Sequence, residues 1–297
     1  MIDLNVIVTT PPYADFLAEV ASHRLVSGFR LNTVMPLREG PKEALDRLSR
    51  YGQPIWVDLK ARQLRVVEAA IPPYTALTLS HPIEVETPVD VFFSDGTQHA
   101  RVMAVDGPRL ILDDGPRRVI GPGESVNIVH PSLRILGTLT DTDRAYLAAM
   151  AELGMTKVML SFVEQLEDVE EVKRLLPEGE LVLKIESLKG MSFVRQHKST
   201  QGRIMAARGD LYVEVGQPHR IIRAMRDLIT ADPDAIVASR ILNSLAYHPV
   251  PISADISDVA FLLQLGYRSF MLGDAICMQR DAVMEALNVL HAIARDF

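Results

Sequence analysis

Eight short runs of β-branched and apolar residues, separated by stretches with helical periodicity, constrain this chain more than anything else in it. The runs are LNVIVT from Leu4, GFRLN from Gly28, PIWVDL from Pro54, TKVMLSF from Thr156, ELVLKIE from Glu180, RIMAAR from Arg203, AIVAS from Ala235 and RSFMLG from Arg268. Between them lie amphipathic stretches such as EALDRLSRY, DRAYLAAMAEL, VEEVKRLL, HRIIRAMRDLI and DVAFLLQL, with DAVMEALNVLHAIARDF as the last. Nearly continuous apolar strands suit a parallel sheet buried on both faces, and the helices between them supply the crossovers. Eight such units close into a barrel, and 297 residues at 48% hydrophobic are enough to fill its core. The predicted fold class is α/β, a (β/α)8 TIM barrel.

The alternation breaks once, between about Val67 and Pro131. That stretch is rich in Pro, Val and Thr and carries Asp95-Gly96, Asp106-Gly107 and Asp114-Gly115 between short apolar runs. Asp-Gly pairs accept the positive φ that tight hairpins need, so the segment reads as β-hairpins and not as helices. The expected organisation is a barrel over 1–66 and 132–297, with a small β-rich lid domain over 67–131 inserted after the third strand. So placed, the lid sits over the C-terminal ends of the strands, where barrels keep their functional groups.

Polar residues should then collect at those strand ends, and they do. Arg30 and Asn32 end the second run, Asp58 and Lys60 the third, Ser161 the fourth, and Lys184 and Glu186 the fifth. Arg208 and Asp210 follow the sixth, Ser239 and Arg240 end the seventh, and Asp274 follows the eighth. With a period of two, Lys184 and Glu186 face one side of their strand and Ile185 the other. Glu186 and Asp210, from neighbouring strands, can chelate one hard divalent cation, Mg2+ or Mn2+, leaving other coordination positions to substrate oxygens and water. Gly209 lets the backbone come close, so that an N–H at a helix or turn start can meet a carboxylate. Singly, each feature has a structural explanation: Lys-x-Glu on a strand is commonly an ion pair, and an isolated Asp58 a cap or solvated turn. Convergence on one face distinguishes the two readings, because unselected surface charges would fall on both.

Charge and cysteine usage exclude several classes. A formal net charge of −7 and a pI near 5.6 argue against nucleic-acid and membrane-surface partners, which need a concentrated basic face. Small anions remain compatible, since a local cationic cluster can sit inside an acidic protein. The single Cys277 excludes an intramolecular disulfide and a Cys-rich zinc site. The opening MIDLNVIVTT has no basic leader region, and no apolar run approaches the roughly 18 residues of a membrane helix, so a cytoplasmic location is expected.

The segments LKIESLKG and RIMAARGDLYVEVG resemble the Lys-Ile-Glu-Asn and Ala-Arg-Gly-Asp-Leu-Gly-Val-Glu motifs of the pyruvate kinase family, in the same order and at similar spacing. SGFRLNT is similar to the family's Ala-Arg-Leu-Asn-Phe-Ser strand and VDLKARQLR to its Asp-Thr-Lys-Gly-Pro-Glu-Ile-Arg. ESVNIVHPSLRILGTLTDTDR, SFVEQLEDVEEVKRLL, IVASRILNSL and ISDVAFLLQLGYRSFML extend the likeness along nearly the whole chain. The resemblance implies that Lys184 stabilises charge on a transferring phosphoryl group and an enolate, while Glu186 and Asp210 hold Mg2+ or Mn2+. It implies phosphate contacts from Arg30 and Arg65, and a carboxylate held by the backbone of Arg208, Gly209 and Asp210. Asn32 and Asp58 fall on the family's pocket Asn and Asp, and Ser239 stands where the family has a Thr near the protonated carbon. The implied partners are phosphoenolpyruvate, pyruvate or a related 2-oxo acid, with ADP or ATP, in a protein that can form a homo-oligomer.

The departures surround the same pocket. Val34 and Leu59 replace the Ser and Thr that ligate a monovalent cation in the family, which argues against a K+ site. The Lys-Gly-Pro-Glu hinge reads Lys60-Ala61-Arg62-Gln63, the Gly after Asp-Leu is Tyr212, and the Gln and Glu of Thr-Gln-Met-Leu-Glu are Arg240 and Asn243. The lid reads as shorter than usual, and with the sequence ending at Phe297 no counterpart of the family's C-terminal domain is expected. Three functions fit: a phosphotransferase acting on phosphoenolpyruvate and a nucleotide, a metal-dependent lyase or aldolase working through a pyruvate-type enolate, and a non-catalytic pyruvate kinase-like protein.

Overall fold

The computed structural model describes residues 2–68, 70, 76–94, 96–113, 115–116 and 118–297. Three strands open the chain: β1 (Asn5–Thr9), β2 (Val26–Asn32) and β3 (Ile55–Leu59). Seven follow: β4 (Ala76–Thr78), β5 (Ile83–Glu84), β6 (Val89–Phe93), β7 (Gln98–Asp106), β8 (Arg109–Leu112), β9 (Val126–Asn127) and β10 (Arg134–Ile135). The last five are β11 (Lys157–Leu160), β12 (Glu180–Ile185), β13 (Arg203–Ala207), β14 (Ile236–Ala238) and β15 (Ser269–Leu272). The first three and last five form a closed parallel barrel in the order β1-β15-β14-β13-β12-β11-β3-β2, so the α/β barrel expected from the alternation is present.

Strand parity divides the barrel's apolar residues into two sets. Ile7, Met159, Val182, Met205, Ile236 and Met271 pack together with Trp56 inside the barrel. Their neighbours in sequence, among them Val8, Leu160, Leu183, Ile204, Val237 and Phe270, join the larger core beneath the helices. That outer core is covered by Pro41–Ser49, Asp141–Leu153, Leu166–Leu175, Leu188–His197, Ile221–Ala231, Ser253–Leu265 and Arg280–Arg295. Two helices carry side-chain caps that fix their starts: Thr140 accepts from the Asp143 N–H, and Ser187 accepts from that of Gly190.

All eight apolar runs contain a barrel strand, but four helices escape the periodicity, the four-residue Asp274–Cys277 among them. Leu17–Ser22 and Arg208–Glu214 have only six and seven residues, too short to show a face. Leu188–His197 is interrupted by Gly190, where a Cβ would lie 2.9 Å from the Val163 carbonyl oxygen. The glycine there serves close packing of the helix on the loop after β11. Arg208, read as the end of the sixth run, is instead the first residue of its helix.

Between β3 and β11 the chain forms an antiparallel sheet, β4-β8-β7-β6-β9, and a β5–β10 pair. Its apolar cluster, including Leu77, Val91, Phe93, Val102 and Leu110, is distinct from those of the barrel. The β7–β8 hairpin turns at Gly107, whose φ of 57° suits a two-residue loop between Asp106 and Arg109. Asp95 and Asp114, the first residues of the other two expected turns, lie outside the described residues. The neck joining this sheet to the barrel is tightly bonded. Asp143, fully buried, accepts from the N–H groups of Lys60, Ala61 and Thr140 at 2.9 to 3.1 Å and from the Thr140 hydroxyl at 2.8 Å. Arg62 donates to Asp168, the Ile135 carbonyl and Thr138.

Candidate active site

Four of the strands that supply an apolar residue to the barrel interior supply a polar one two positions on. Val182 is followed by Lys184, Trp56 by Asp58, Met159 by Ser161 and Ile7 by Thr9, so a polar layer lies directly above the apolar plug. Gly28 serves the same arrangement: a Cβ there would sit 3.2 Å from the Trp56 ring, so its absence lets the indole occupy the layer beneath Arg30.

Asp58 is the hub of the polar layer. Its carboxylate receives Arg30 Nη2 at 2.6 Å, Arg30 Nε at 2.7 Å and Lys184 Nζ at 3.1 Å. Burial disfavours the Asp58 carboxylate, but Lys184 and Arg30 outweigh it and hold its pKa below the ordinary value. Arg30 also donates to Thr9 Oγ1 and Asp274 Oδ1, each at 2.9 Å, and Asn32 Nδ2 donates to the other Asp274 oxygen at 3.0 Å. Lys184 Nζ donates to Ser161 Oγ at 2.7 Å and lies 3.3 Å from Glu186 Oε1. Burial opposes its charge as well, and Asp58 and Glu186 prevail, raising its pKa. The ammonium is thus held charged and oriented at the cavity floor.

Glu186 and Asp210 have the chemistry of a divalent-cation site. Glu186 accepts the Phe162 N–H at 2.8 Å through Oε2, and Asp210 accepts Gln63 Nε2 at 2.9 Å through Oδ2. The second oxygen of Asp210 is buried without a hydrogen-bond partner, as an oxygen reserved for a cation would be. Burial, then the opposing influence of Lys184, then the neighbouring charge of Asp210 set the Glu186 pKa, pushed up to about 7. A cation beside Glu186 would offset both the burial and the neighbouring charge that disfavour its ionised form. Among the described residues no group of three or more His, Cys, Asp or Glu gathers to hold a metal, so an ion here would rest on two carboxylates and complete its shell with substrate oxygens and water. The residues present fit Mg2+ or Mn2+.

A cavity of about 360 Å3 opens above this layer. Arg30, Asn32, Arg65, Lys184, Glu186, Asp210 and Ser239 line it, so seven of the expected site residues share one space. Asp58 lies beneath, bonded to two of them. Gly209 is buried in the first turn of the helix Arg208–Glu214, and the Arg208 guanidinium is taken up by the Asp258 carboxylate at 2.8 and 2.9 Å and by the Ser239 carbonyl. Only the backbone of Arg208 remains for a ligand. Arg65, reaching in from the neck, donates to the Gly123 carbonyl at 2.7 Å and to Gln63 Oε1. Val34 lines the cavity and Leu59 is fully buried, and neither has a side-chain oxygen.

Three contributors were not anticipated. Thr9 ends β1 and obeys the same rule that found the others. Gln63 was visible only as a departure from a motif, not as the residue that orients Asp210. The Phe162 N–H reaches Glu186 from a residue with φ of 49°, and a backbone donor leaves no mark in the sequence.

Comparison with known proteins places relatives beside this chain. The profile of the family described as pyruvate kinase, barrel domain, matches residues 74–276. A pyruvate kinase of Agrobacterium vitis is 34% identical over 197 residues, covering 64% of this chain and 40% of its own length. One from Borreliella burgdorferi is 23% identical over 300 residues, 91% of this chain and 62% of the relative. One from Methanocaldococcus jannaschii is 25% identical over 312 residues, 98% and 68% respectively. The chain therefore spans between two fifths and about two thirds of these relatives. The crystal structure of Cryptosporidium parvum pyruvate kinase shares the fold with a TM-score of 0.79 over 99% of this chain and 70% of that one, at 19% identity.

Proposed function

The chain belongs to the pyruvate kinase family, and on that footing we propose that it is a metal-dependent phosphotransferase moving a phosphoryl group between phosphoenolpyruvate and a nucleotide. The observation that carries this reading is Lys184, a buried ammonium held by Asp58 and Ser161 in the same cavity as Glu186, Asp210, Arg30 and Arg65. Phosphoryl transfer asks little covalent chemistry of a protein and a great deal of positioning and charge. Arg30, fixed by Asp58, Asp274 and Thr9, and Arg65, fixed by Gly123 and Gln63, receive the phosphate. Lys184 meets the charge that develops on the transferring group and on the enolate oxygen. The backbone of Arg208, Gly209 and Asp210 takes the substrate carboxylate, and Ser239 stands by the methylene carbon that gains or loses a proton. A divalent cation on Glu186 and Asp210 would neutralise charge on substrate oxygens when bound. Ser125, from the inserted sheet, and Arg65 form part of the cavity wall, which suits a lid that excludes water. No helix of the described residues is long and apolar enough to cross a membrane.

The test is a coupled assay with phosphoenolpyruvate, several nucleoside diphosphates and Mg2+ or Mn2+, with and without K+. Turnover indifferent to K+ is expected from Val34 and Leu59. Oxalate binding with Mg2+ but no transfer to any nucleotide would overturn the proposal, and nucleotide-free detritiation of pyruvate would then point to a lyase acting through the enolate.

A further inference from the structure

One cation on the cavity wall has no role in the chemistry above. Arg240 lines the same 360 Å3 space as Lys184 and Glu186 and is exposed to solvent there. Its Cζ lies 4.9 Å from the centroid of the Tyr212 ring, a stacking distance. Arg30 and Lys184, by contrast, are neutralised by Asp58, Asp274 and Glu186. Among the described residues Arg240 pairs with no carboxylate. The backbone that presents it is in an unfavourable conformation: Ser239, Arg240 and Leu242 have φ of 71°, 59° and 50°, although none is glycine. Such residues cost of the order of 1 kcal/mol or more each and persist where the surroundings over-determine them. Both members of the stack are departures from the family pattern, Tyr212 where it has Gly and Arg240 where it has Gln. Two neighbouring departures that contact each other are more simply explained as one feature than as two accidents.

The position of this feature defines what it meets. Arg30 lies on β2 and Arg240 just past β14, with β1 and β15 between them around the barrel. The cavity therefore has one cationic pole for phosphate at Arg30 and Arg65 and a second, separate pole at Arg240. Arg240 follows Ser239, the residue placed beside the reacting methylene carbon. A group attached to that carbon is directed at the guanidinium, whose planar fork suits a carboxylate or phosphate-like anion.

We propose that Arg240, held by Tyr212, is a specificity residue that selects a 2-oxo acid or its enol form carrying a second anionic group on the chain beyond the carbonyl. The inference rests on the reading of the cavity as a metal and enolate site. The experiment is calorimetric binding in Mg2+ of four probes: oxalate, 2-oxobutyrate, which lacks the anionic arm, and 2-oxoglutarate and phosphonopyruvate, which carry a carboxylate and a phosphonate arm. At least one armed probe is expected to bind about tenfold or more tightly than 2-oxobutyrate, and which one does so identifies the anion. In Arg240→Gln that ratio falls to about one. Tyr212→Phe keeps it and Tyr212→Ala reduces it, which separates positioning by the ring from folding damage. Oxalate bound with no preference for either armed probe overturns this inference alone. Failure to bind oxalate with Mg2+ overturns the underlying reading of the site.

Discussion

Replacing Asp58 with Asn tests the polar layer at its hub. The carboxylate makes contacts of 2.6, 2.7, 3.1 and 3.4 Å with Arg30 and Lys184, and both cations are at least nine-tenths buried. Removing one partner of a buried ion pair costs about 3–5 kcal/mol, because the remaining charge stays desolvated. Asn keeps one acceptor oxygen, and Asp274 and Glu186 still face the two cations, so the lower end, about 3 kcal/mol, is expected. For a chain of this size each kcal/mol shifts the melting temperature by roughly 2–4 °C, giving a fall of about 6–12 °C. Thermal unfolding followed by circular dichroism reads it directly. Asp281→Asn is the control, since that side chain is 92% exposed and its pairing with Arg280 should leave the melting temperature unchanged. The double variant Asp58→Asn with Lys184→Met should be less destabilised than the sum of the two singles, by about 1 kcal/mol or more, because no unpaired ammonium remains. A melting temperature for Asp58→Asn within about 2 °C of the parent would refute the idea that this carboxylate neutralises two buried cations.

Three further outcomes are expected. Lys184→Met should lower kcat/KM in the coupled assay by about 100-fold or more, as for loss of an oriented donor to developing charge; a change under about threefold would remove Lys184 from the chemistry. Glu186→Gln and Asp210→Asn should each weaken Mn2+ binding by roughly tenfold or more, measured as free Mn2+ by electron paramagnetic resonance, and unaltered affinity in both would place the cation elsewhere. Hydrogen bonds from Arg118, the Gly121 N–H and Ser94 lower the Glu124 pKa to about 2 against the ordinary 4.5. A depressed carboxyl contributes stability above its unfolded pKa and loses it as pH falls through the folded one, so the gap between the parent and Glu124→Gln should be about 1 kcal/mol at pH 7, after allowance for partial exposure, narrow below about pH 4.5 and close near pH 2. A gap that does not change with pH would refute the linkage.

The barrel was legible because its signal is repeated eight times: a strand buried on both faces cannot hide, and LVLKI or FMLG mark the chain wherever they fall. Lys184 and Glu186 were legible for a related reason, since alternation fixes which side of β12 they share. What escaped depends on contacts that only folding creates. Asp143 looks like any acidic residue near a helix start, and nothing local shows that it bonds Lys60 and Ala61, more than eighty positions earlier in the chain. Arg208 was read as holding a carboxylate through its backbone, and nothing local shows that its guanidinium is taken by Asp258, fifty residues on. The Arg240–Tyr212 stack was present in the sequence only as two separate departures from a motif.

Asp143 and Arg62 fasten the outgoing and returning chain of the neck at nearly one point. The inserted sheet therefore behaves as a cassette: it leaves the barrel and comes back through a gap so short that closing it with a brief Gly-Ser bridge costs little loop entropy. Lids of other shapes could be spliced at the same position while the barrel wall, with Lys184, Glu186 and Asp210, stays as it is. In this architecture the part of the protein that would cover a substrate can diversify by exchange, independently of the part that would carry out the reaction.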